Sequence, residues 1–479
     1  MGSKNNNSQA VKAGLGYTIG NILIKGINFL TLPIFARLLT TDEFGVYNVF
    51  ISYEAILLVL ISMAIYISLR SAKLEFPNQI DKYVSSVSII FFINAGFYIA
   101  LTAFFGKHLS TILNIPVGYI FLLIMYSFSG AVIMLYNTKA ALDYSFKQYL
   151  KISFVNSIGN ISLSLLLILT VFSNYRDLGR ILGATSVSFI ISIVILVYFY
   201  RSERPKYNKA YWKFGLKYSL PIVPHGVSQV LLSQFDRIMI RNIVSSSAAG
   251  IYSLAGNIRL ILVIITDSIA TSWQTWFYEE IEKNNIAEIK LRAKQIICLF
   301  AILCIAVMTV SPELVAILGG RNYENAKYVT SPMVIDAFIL FVYNIIIPAE
   351  YYKKKTNYVM LGTLFATALN IITNYIFIHK YGFIAAAYTT LFSYVCYLIM
   401  HLFISHKVVQ FDVVEIPFLI GITMIISLNG FISTYYSNSL VIRWGFGLSL
   451  LLFFIIVLNR KYDILEMGLK VIQTRKRNN

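Results

Sequence analysis

Charge is what this sequence has least of. Only 13% of its 479 residues are Asp, Glu, Lys or Arg, about half the share of a soluble domain. So few charges cannot solvate a water-facing surface of that size, which excludes a soluble globular protein. Cysteine is scarce too. Cys298, Cys304 and Cys396 all fall inside apolar segments without disulfide or metal-ligand spacing, which leaves no basis for a disulfide scaffold or a thiolate metal centre. There is no glycine-rich nucleotide loop, no cluster of metal ligands and no Ser/His/Asp set in a supporting context. The chain therefore reads as a non-enzyme with no cofactor and no ATP-hydrolysing domain of its own. Met1–Lys12 is polar, with no apolar stretch before Gly14, so no separate cleavable signal is expected and the first span itself directs insertion.

What is abundant is apolar and aromatic: 57% hydrophobic residues, with 33 Tyr and 34 Phe. Runs such as Phe154–Phe172 and Ile181–Tyr200 carry no charge and are long enough to cross about 30 Å of hydrocarbon. Segments of this kind recur at 15–39, 46–69, 84–105, 118–137, 152–172 and 181–200. After a polar stretch they resume at 219–243, 250–272, 295–314, 328–350, 357–378 and 383–404, then at 414–432 and 440–458. The expected fold is an all-α polytopic membrane protein of about fourteen transmembrane helices.

The net charge of +18 suggests nucleic acid only until its distribution is examined. With the N-terminus placed inside, the cytoplasmic loops and tails hold about 28 of the 40 Lys and Arg, and the outer loops about 9. The outer set includes Arg37, Arg241 and Arg443. The bias is topological, no nucleic-acid partner is implied, and both termini are expected in the cytoplasm. The richest basic loop, Arg201–Lys217, interleaves six cations with Tyr207, Tyr211 and Trp212. That spacing suits a helix lying on anionic lipid.

This loop separates two halves that resemble each other. Gly45-Val46-Tyr47 opens the returning helix of the first hairpin, and Gly250-Ile251-Tyr252 does so in the hairpin after the loop. Ser153, Ser157, Asn160 and Ser164 share one helix face; Thr363, Thr367, Asn370 and Asn374 share another, with Asn160 and Asn370 in corresponding places. Six spans per half is an even number, so the repeats enter from the same side, related by a pseudo-twofold along the membrane normal. The expected domains are an N-terminal six-helix lobe (1–200), a basic cytoplasmic linker (201–218) and a C-terminal six-helix lobe (219–404). Two extra helices with a basic tail (405–479) complete the chain.

Seven ionisable residues fall at mid-membrane depth in these spans: Lys25, Glu54, Asp236, Arg237, Arg259, Asp267 and Asp336. Facing lipid, they would together cost roughly 17–25 kcal/mol, more than a typical domain's stability. They must face a polar cavity or one another. Helical spacing agrees: Thr18, Asn21, Lys25 and Asn28 form one stripe, and His225, Gln229, Ser233 and Arg237 another. Both helices contain proline, Pro33 in one and Pro221 with Pro224 in the other. Interrupted helices in equivalent positions point to a transport site, expected between the halves. Lys25, Arg259 and Arg237 are the candidate cations, and Asn21, Asn28, Gln229, Asn160 and Asn370 the candidate polar groups. Glu54, Asp236, Asp267 and Asp336 are candidate coupling or pairing carboxylates. Set against this is a bland reading for each: Lys25 and Arg259 could pair with Glu54 or Asp267, Asp236 and Arg237 could pair structurally, and the Asn and Ser stripes could simply join helices.

Asn21 to Asn48, NILIKGINFLTLPIFARLLTTDEFGVYN, resembles the opening of the polysaccharide biosynthesis proteins, the Wzx-type O-antigen and capsule repeat-unit flippases. Gln234 to Tyr252, QFDRIMIRNIVSSSAAGIY, is similar to their second-half signature. The resemblance extends more loosely over the whole chain and identifies the superfamily of multidrug, oligosaccharidyl-lipid and polysaccharide exporters. It implies two six-helix lobes around a cavity, with 414–432 and 440–458 in the place of the lipid-tail helices of muramyl-lipid flippases. Lys25 and Arg259 fall on the helices whose arginines line the cavity in that group, and Asp42 or Glu43 would match its first outer-turn acid. Lys in place of Arg at 25 loses bidentate phosphate contact.

The implied activity is outward flipping of polyprenyl-pyrophosphate-linked oligosaccharide units across the bacterial inner membrane by alternating access. Such units serve O-antigen (lipopolysaccharide), capsule or another surface polysaccharide. Implied partners are that lipid-linked glycan, membrane lipids, and a sugar-chain polymerase with chain-length machinery. Alternatives are a cation-coupled multidrug antiporter, which calls for twelve helices and an acidic cavity, and a muramyl-lipid flippase. A non-transporting scaffold offers no reason for the buried charges, and a polymerase would need a large outer loop.

Overall fold

A computed structural model describes residues 16, 20 and 23–462. Asn21 lies outside the described residues. The first described helix, α1, covers 23–38. It is followed by α2 (Thr41–Ser62), α3 (Leu69–Glu75), α4 (Ile80–Leu113), α5 (Val117–Leu142), α6 (Phe146–Leu169) and α7 (Arg176–Ser202). Then come α8 (Lys209–Ser219), α9 (Val223–Ile243), α10 (Ser246–Glu282), α11 (Ile286–Thr309), α12 (Ser311–Gly319) and α13 (Lys327–Tyr352). The last four are α14 (Thr356–Tyr381), α15 (Phe383–Ile404), α16 (Ile416–Tyr435) and α17 (Leu440–Tyr462). No strand occurs among the described residues.

Twelve described helices are long and apolar enough to cross a membrane, so the protein is a multi-pass, all-helical membrane protein. That measure falls two short of the expected fourteen. Of the first expected span only 23–38 is described as a continuous helix. The seventh, α9, is long enough but too polar, since Gln229, Ser233, Asp236, Arg237 and Arg241 interrupt its apolar residues.

The helix ends follow local chemistry. Thr40 accepts from the Glu43 N–H at 3.2 Å, while the Glu43 carboxylate accepts from the Thr40 N–H at 2.8 Å. This reciprocal cap fixes where α2 begins. It ends at Met63 and Ala64, both in the left-handed region, which no helix continues through. Gly382, at φ 71°, turns α14 into α15.

The chain divides into two compact units, Met1–Gly250 and Ile251–Asn479. In the first, α2, α4 and α7 pack on α5, α6 packs on α7, and α9 packs on α2. The basic linker forms α8 as an amphipathic helix. The Asn208 side chain accepts from the N–H groups of Ala210 and Tyr211, a sequence-encoded cap. Its apolar face is anchored through Tyr211, which donates to Gln79 at 2.6 Å, and Trp212, which donates to the Ser86 carbonyl at 3.0 Å. Lys209, Lys213 and Lys217 stay exposed on the other side.

The second unit is built around α13, whose most apolar stretch is 89% buried, against 17% for α17. The peripheral α17 is therefore held by something other than burial. Arg443, only 3% exposed, makes a two-pronged contact with Glu313 at 2.6 and 2.5 Å and donates to the Thr309 carbonyl. Trp444 also donates to Glu313, at 3.2 Å. Partial burial raises the Glu313 pKa, but the Arg443 and Trp444 hydrogen bonds outweigh it and hold the carboxyl below its ordinary value. A lowered folded-state pKa stabilises above the unfolded value and ceases to do so as pH falls through the folded one. Arg443→Ala is expected to cost about 2 kcal/mol, less than a fully buried pair because Glu313 is 34% exposed. Thermal unfolding in detergent should show the gap between wild type and variant at neutral pH and its closure in acid. A gap that persists at low pH would sink this account.

Candidate functional site

Each unit gathers buried polar and charged side chains among apolar helices, and the two gatherings differ in charge.

In the first unit the expected polar stripe of α6 is used. Ser157 donates to Asn28 of α1 at 2.7 Å. Ser188 of α7 donates to Asn156 at 3.0 Å and receives a long contact of 3.5 Å from Asn160. Above them sits a cation that the charge count assigned to an outer loop. Arg180 lies one turn inside α7, its guanidinium 3.7 Å from the centroid of Phe35 and 4.7 Å from that of Tyr47. It donates to Ser164 at 2.9 Å and reaches the Asn160 carbonyl at 3.5 Å. Its Nε is buried without a partner. Arg180 reaches this position because α6 and α7 are pressed together: a β-carbon at Gly183 would overlap Ser164. The clue in the sequence was the pairing of Gly183 with the small residues of α6. Glu54 is half-buried beside Gly130.

The Gly-aliphatic-Tyr repeats meet at one end of this unit. A β-carbon at Gly45 would overlap the Ser246 carbonyl oxygen, and one at Gly250 would overlap the Thr41 carbonyl oxygen. Thr41 and Ser247 share a hydroxyl hydrogen bond of 2.7 Å. Glu43, a candidate outer-turn acid, is occupied here by its capping role and accepts from the Arg176 N–H at 3.2 Å. Tyr119 donates to Asp177 at 2.7 Å.

In the second unit Arg259 of α10 is bonded to Asp336 of α13, with its guanidinium 5.7 Å from the Tyr394 ring of α15. Their side chains are 17% and 2% exposed. Two predicted site residues are thus brought together, but as a compensated pair, and Arg259's carboxylate is Asp336 rather than Glu54 or Asp267. Asn370 is fully buried between α14 and α15, donating to Thr390 at 2.9 Å, with Asn374 donating back to it at 3.2 Å. It joins α14 to α15 in a fully buried contact, whereas its counterpart Asn160 is half-buried. Lys25, Asn28, Gln229 and Asp267 are exposed, whereas Asp236 is buried. Arg237 is half-buried and donates to Gln234 at 2.8 Å.

Spanning helices with charged and polar side chains held inside them define a membrane protein of the transporter class. The chain belongs to the polysaccharide biosynthesis protein family, whose pattern matches residues 10–277. Protein 1 of the Lsg locus of Haemophilus influenzae is 22% identical, over 74% of this chain and 88% of that protein. Among solved structures, the lipid II flippase MurJ in an inward closed conformation superposes with a TM-score of 0.67 at 17% identity, covering 93% of this chain and 99% of MurJ. An inward-facing multidrug resistance transporter of the MATE family gives 0.56 at 14% identity, covering 83% of this chain and 98% of that one. At these identities the structural likeness establishes the fold alone.

Proposed function

We propose that this protein flips polyprenyl-pyrophosphate-linked oligosaccharide units from the cytoplasmic to the outer leaflet of the bacterial inner membrane by alternating access. The product would feed an O-antigen, capsule or other surface polysaccharide. The observation that carries this reading is Arg180. Its partners are rings, a hydroxyl and a backbone carbonyl, with no carboxylate among the described residues. A guanidinium stacked on aromatics keeps its planar donors available for phosphate oxygens, and the neighbouring Asn and Ser side chains suit hydroxyl-rich sugar. A cationic drug would be repelled at such a place. Lys25 is the second cation of this reading, and Asp236, Asp267 and Glu54 remain its candidate coupling groups. Gln229 and Arg237 of α9 are its further polar contacts. With both termini cytoplasmic, the basic face of α8 rests on the inner leaflet.

The test is transport of a lipid-linked oligosaccharide in proteoliposomes. Arg180→Ala is expected to slow it roughly 10- to 100-fold, the loss of a charge-assisted contact worth about 1.5–3 kcal/mol, with unchanged abundance in the membrane. Arg180→Lys should recover only part, lacking the planar fork. Movement of a cationic dye or a muramyl lipid in place of the oligosaccharide would overturn the reading.

A further inference from the structure

The second unit contains a pair of ionisable side chains that the transport reading does not use. Glu350 sits two residues before the end of α13, and His401 three residues before the end of α15. Both are 0% exposed, with the His401 Nδ1 2.7 Å from the Glu350 Oε1. Each keeps a second buried atom without a hydrogen-bond partner: Oε2 on Glu350 and Nε2 on His401. Rings wall the imidazole in, with centroids of Tyr397 and Tyr343 4.7 and 5.0 Å away. From α14 come Gly362, where a β-carbon would overlap the His401 Nε2, and Thr363, bonded to the Tyr397 hydroxyl at 3.1 Å.

We propose that Glu350 and His401 form a proton-binding site through which a proton gradient drives transport. The proposal rests on the flippase reading for the process it drives, and on geometry for the site itself. A fully buried acid–base pair without a compensating third charge stays neutral overall, so it holds two protons, one shared between Oε1 and Nδ1 and the other on Nε2 or Oε2. A further proton can enter only at whichever of Oε2 and Nε2 is still bare, and it turns the pair into a buried cation. The pair takes up that proton from water and returns it to water without any other bond changing.

Among the described residues, no ion pair joins the Glu350–His401 pair to a third charge. The ionisable groups facing Glu350 are the hydroxyls of Tyr343, Tyr351 and Tyr397, with Tyr278 beyond Tyr351. On the elements packed nearby, Lys294 is bonded to Glu415 at 2.8 Å, Arg292 to Glu288 at 2.6 Å, and His406 to Asp412 at 2.9 Å. Accepting that further proton therefore requires the helix ends to part, and both helices are built to yield there. Pro348, two residues before Glu350, lies inside α13 and removes a backbone hydrogen bond. Four residues after His401 the chain winds into a π-turn, Ser405–Val409, a local unwinding frequent at functional sites. Proton occupancy and the packing of α13 against α15 are thereby linked, and the linkage is reciprocal.

The test measures oligosaccharide transport in proteoliposomes with and without an imposed pH difference. Wild type should accelerate under the gradient, whereas Glu350→Gln, which preserves shape and a hydrogen bond to His401, should lose that response while transporting without a gradient. Equal responses in the two, or a wild type that transports and ignores the gradient, would overturn the proposal. A wild type that transports nothing under any condition refutes the flippase reading instead. The site is then judged by infrared difference spectra between acid and alkaline buffer. A carboxyl band that titrates in wild type and shifts in Glu350→Asp, which keeps the proton site should Gln not fold, supports it. A band that neither titrates nor shifts overturns it.

Discussion

Arg259→Ala is expected to destabilise the protein by about 3–5 kcal/mol. The reason lies less in the lost bond than in what remains. Asp336 is 2% exposed on α13, the helix around which the second unit packs. Stripped of its guanidinium, it must stay charged in an apolar surrounding or bind a proton, and either is costly. The paired replacement Arg259→Met with Asp336→Leu should recover most of the stability, since a buried ion pair contributes little beyond an apolar pair of similar volume. Thermal unfolding monitored by chromatography in detergent separates the two. A single variant as stable as the double would show that the pair is not compensating itself. Transport gives a second reading: if the double variant folds and carries substrate at the wild-type rate, Arg259 has no part in binding.

Gly45→Leu should be nearly as damaging, by a different route. The β-carbon alone collides with a backbone carbonyl, which cannot rotate away as a side chain would. The ends of α2 and α10 must separate, at an overpacking cost of about 1–3 kcal/mol. The measurement is chemical. With Thr41→Cys and Ser247→Cys, whose native hydroxyls are 2.7 Å apart, oxidation should form a disulfide in the parent and fail in the presence of Gly45→Leu. Equal cross-linking in both would mean that the ends do not part.

Much of the architecture was legible because a membrane demands uninterrupted apolar runs. The expected 383–404 is found at Phe383–Ile404, and 440–458 lies within Leu440–Tyr462. Helix lengths were less legible. α4 continues to Leu113 and α10 to Glu282, where amphipathic ends emerging from the hydrocarbon look like loops to a hydropathy reading. The site was legible only in part. A hydropathy reading leaves Arg180 in a loop because the uncharged run begins at Ile181, whereas α7 starts one turn before Arg180, at Arg176. The choice of Asp336 as partner to Arg259 is a contact 77 residues apart in sequence, set by packing that no local pattern contains. Asn160 and Asn370 show the same limit. Periodicity places both on polar stripes, yet one borders Arg180 and the other is sealed against α15. The same spacing serves a cavity wall and a helix-joining face alike.

The seam at Gly45 and Gly250 has one more implication. It is made of main chain against main chain, closed by two hydroxyls, and Arg241 reaches it only at its edge, donating to the Ser246 hydroxyl at 3.3 Å. Acidity accordingly has little purchase on the main-chain contacts that shut it, since an arginine keeps its charge. What can bear on it is mechanical: the lateral pressure and thickness of the surrounding lipid, which push on whole helices.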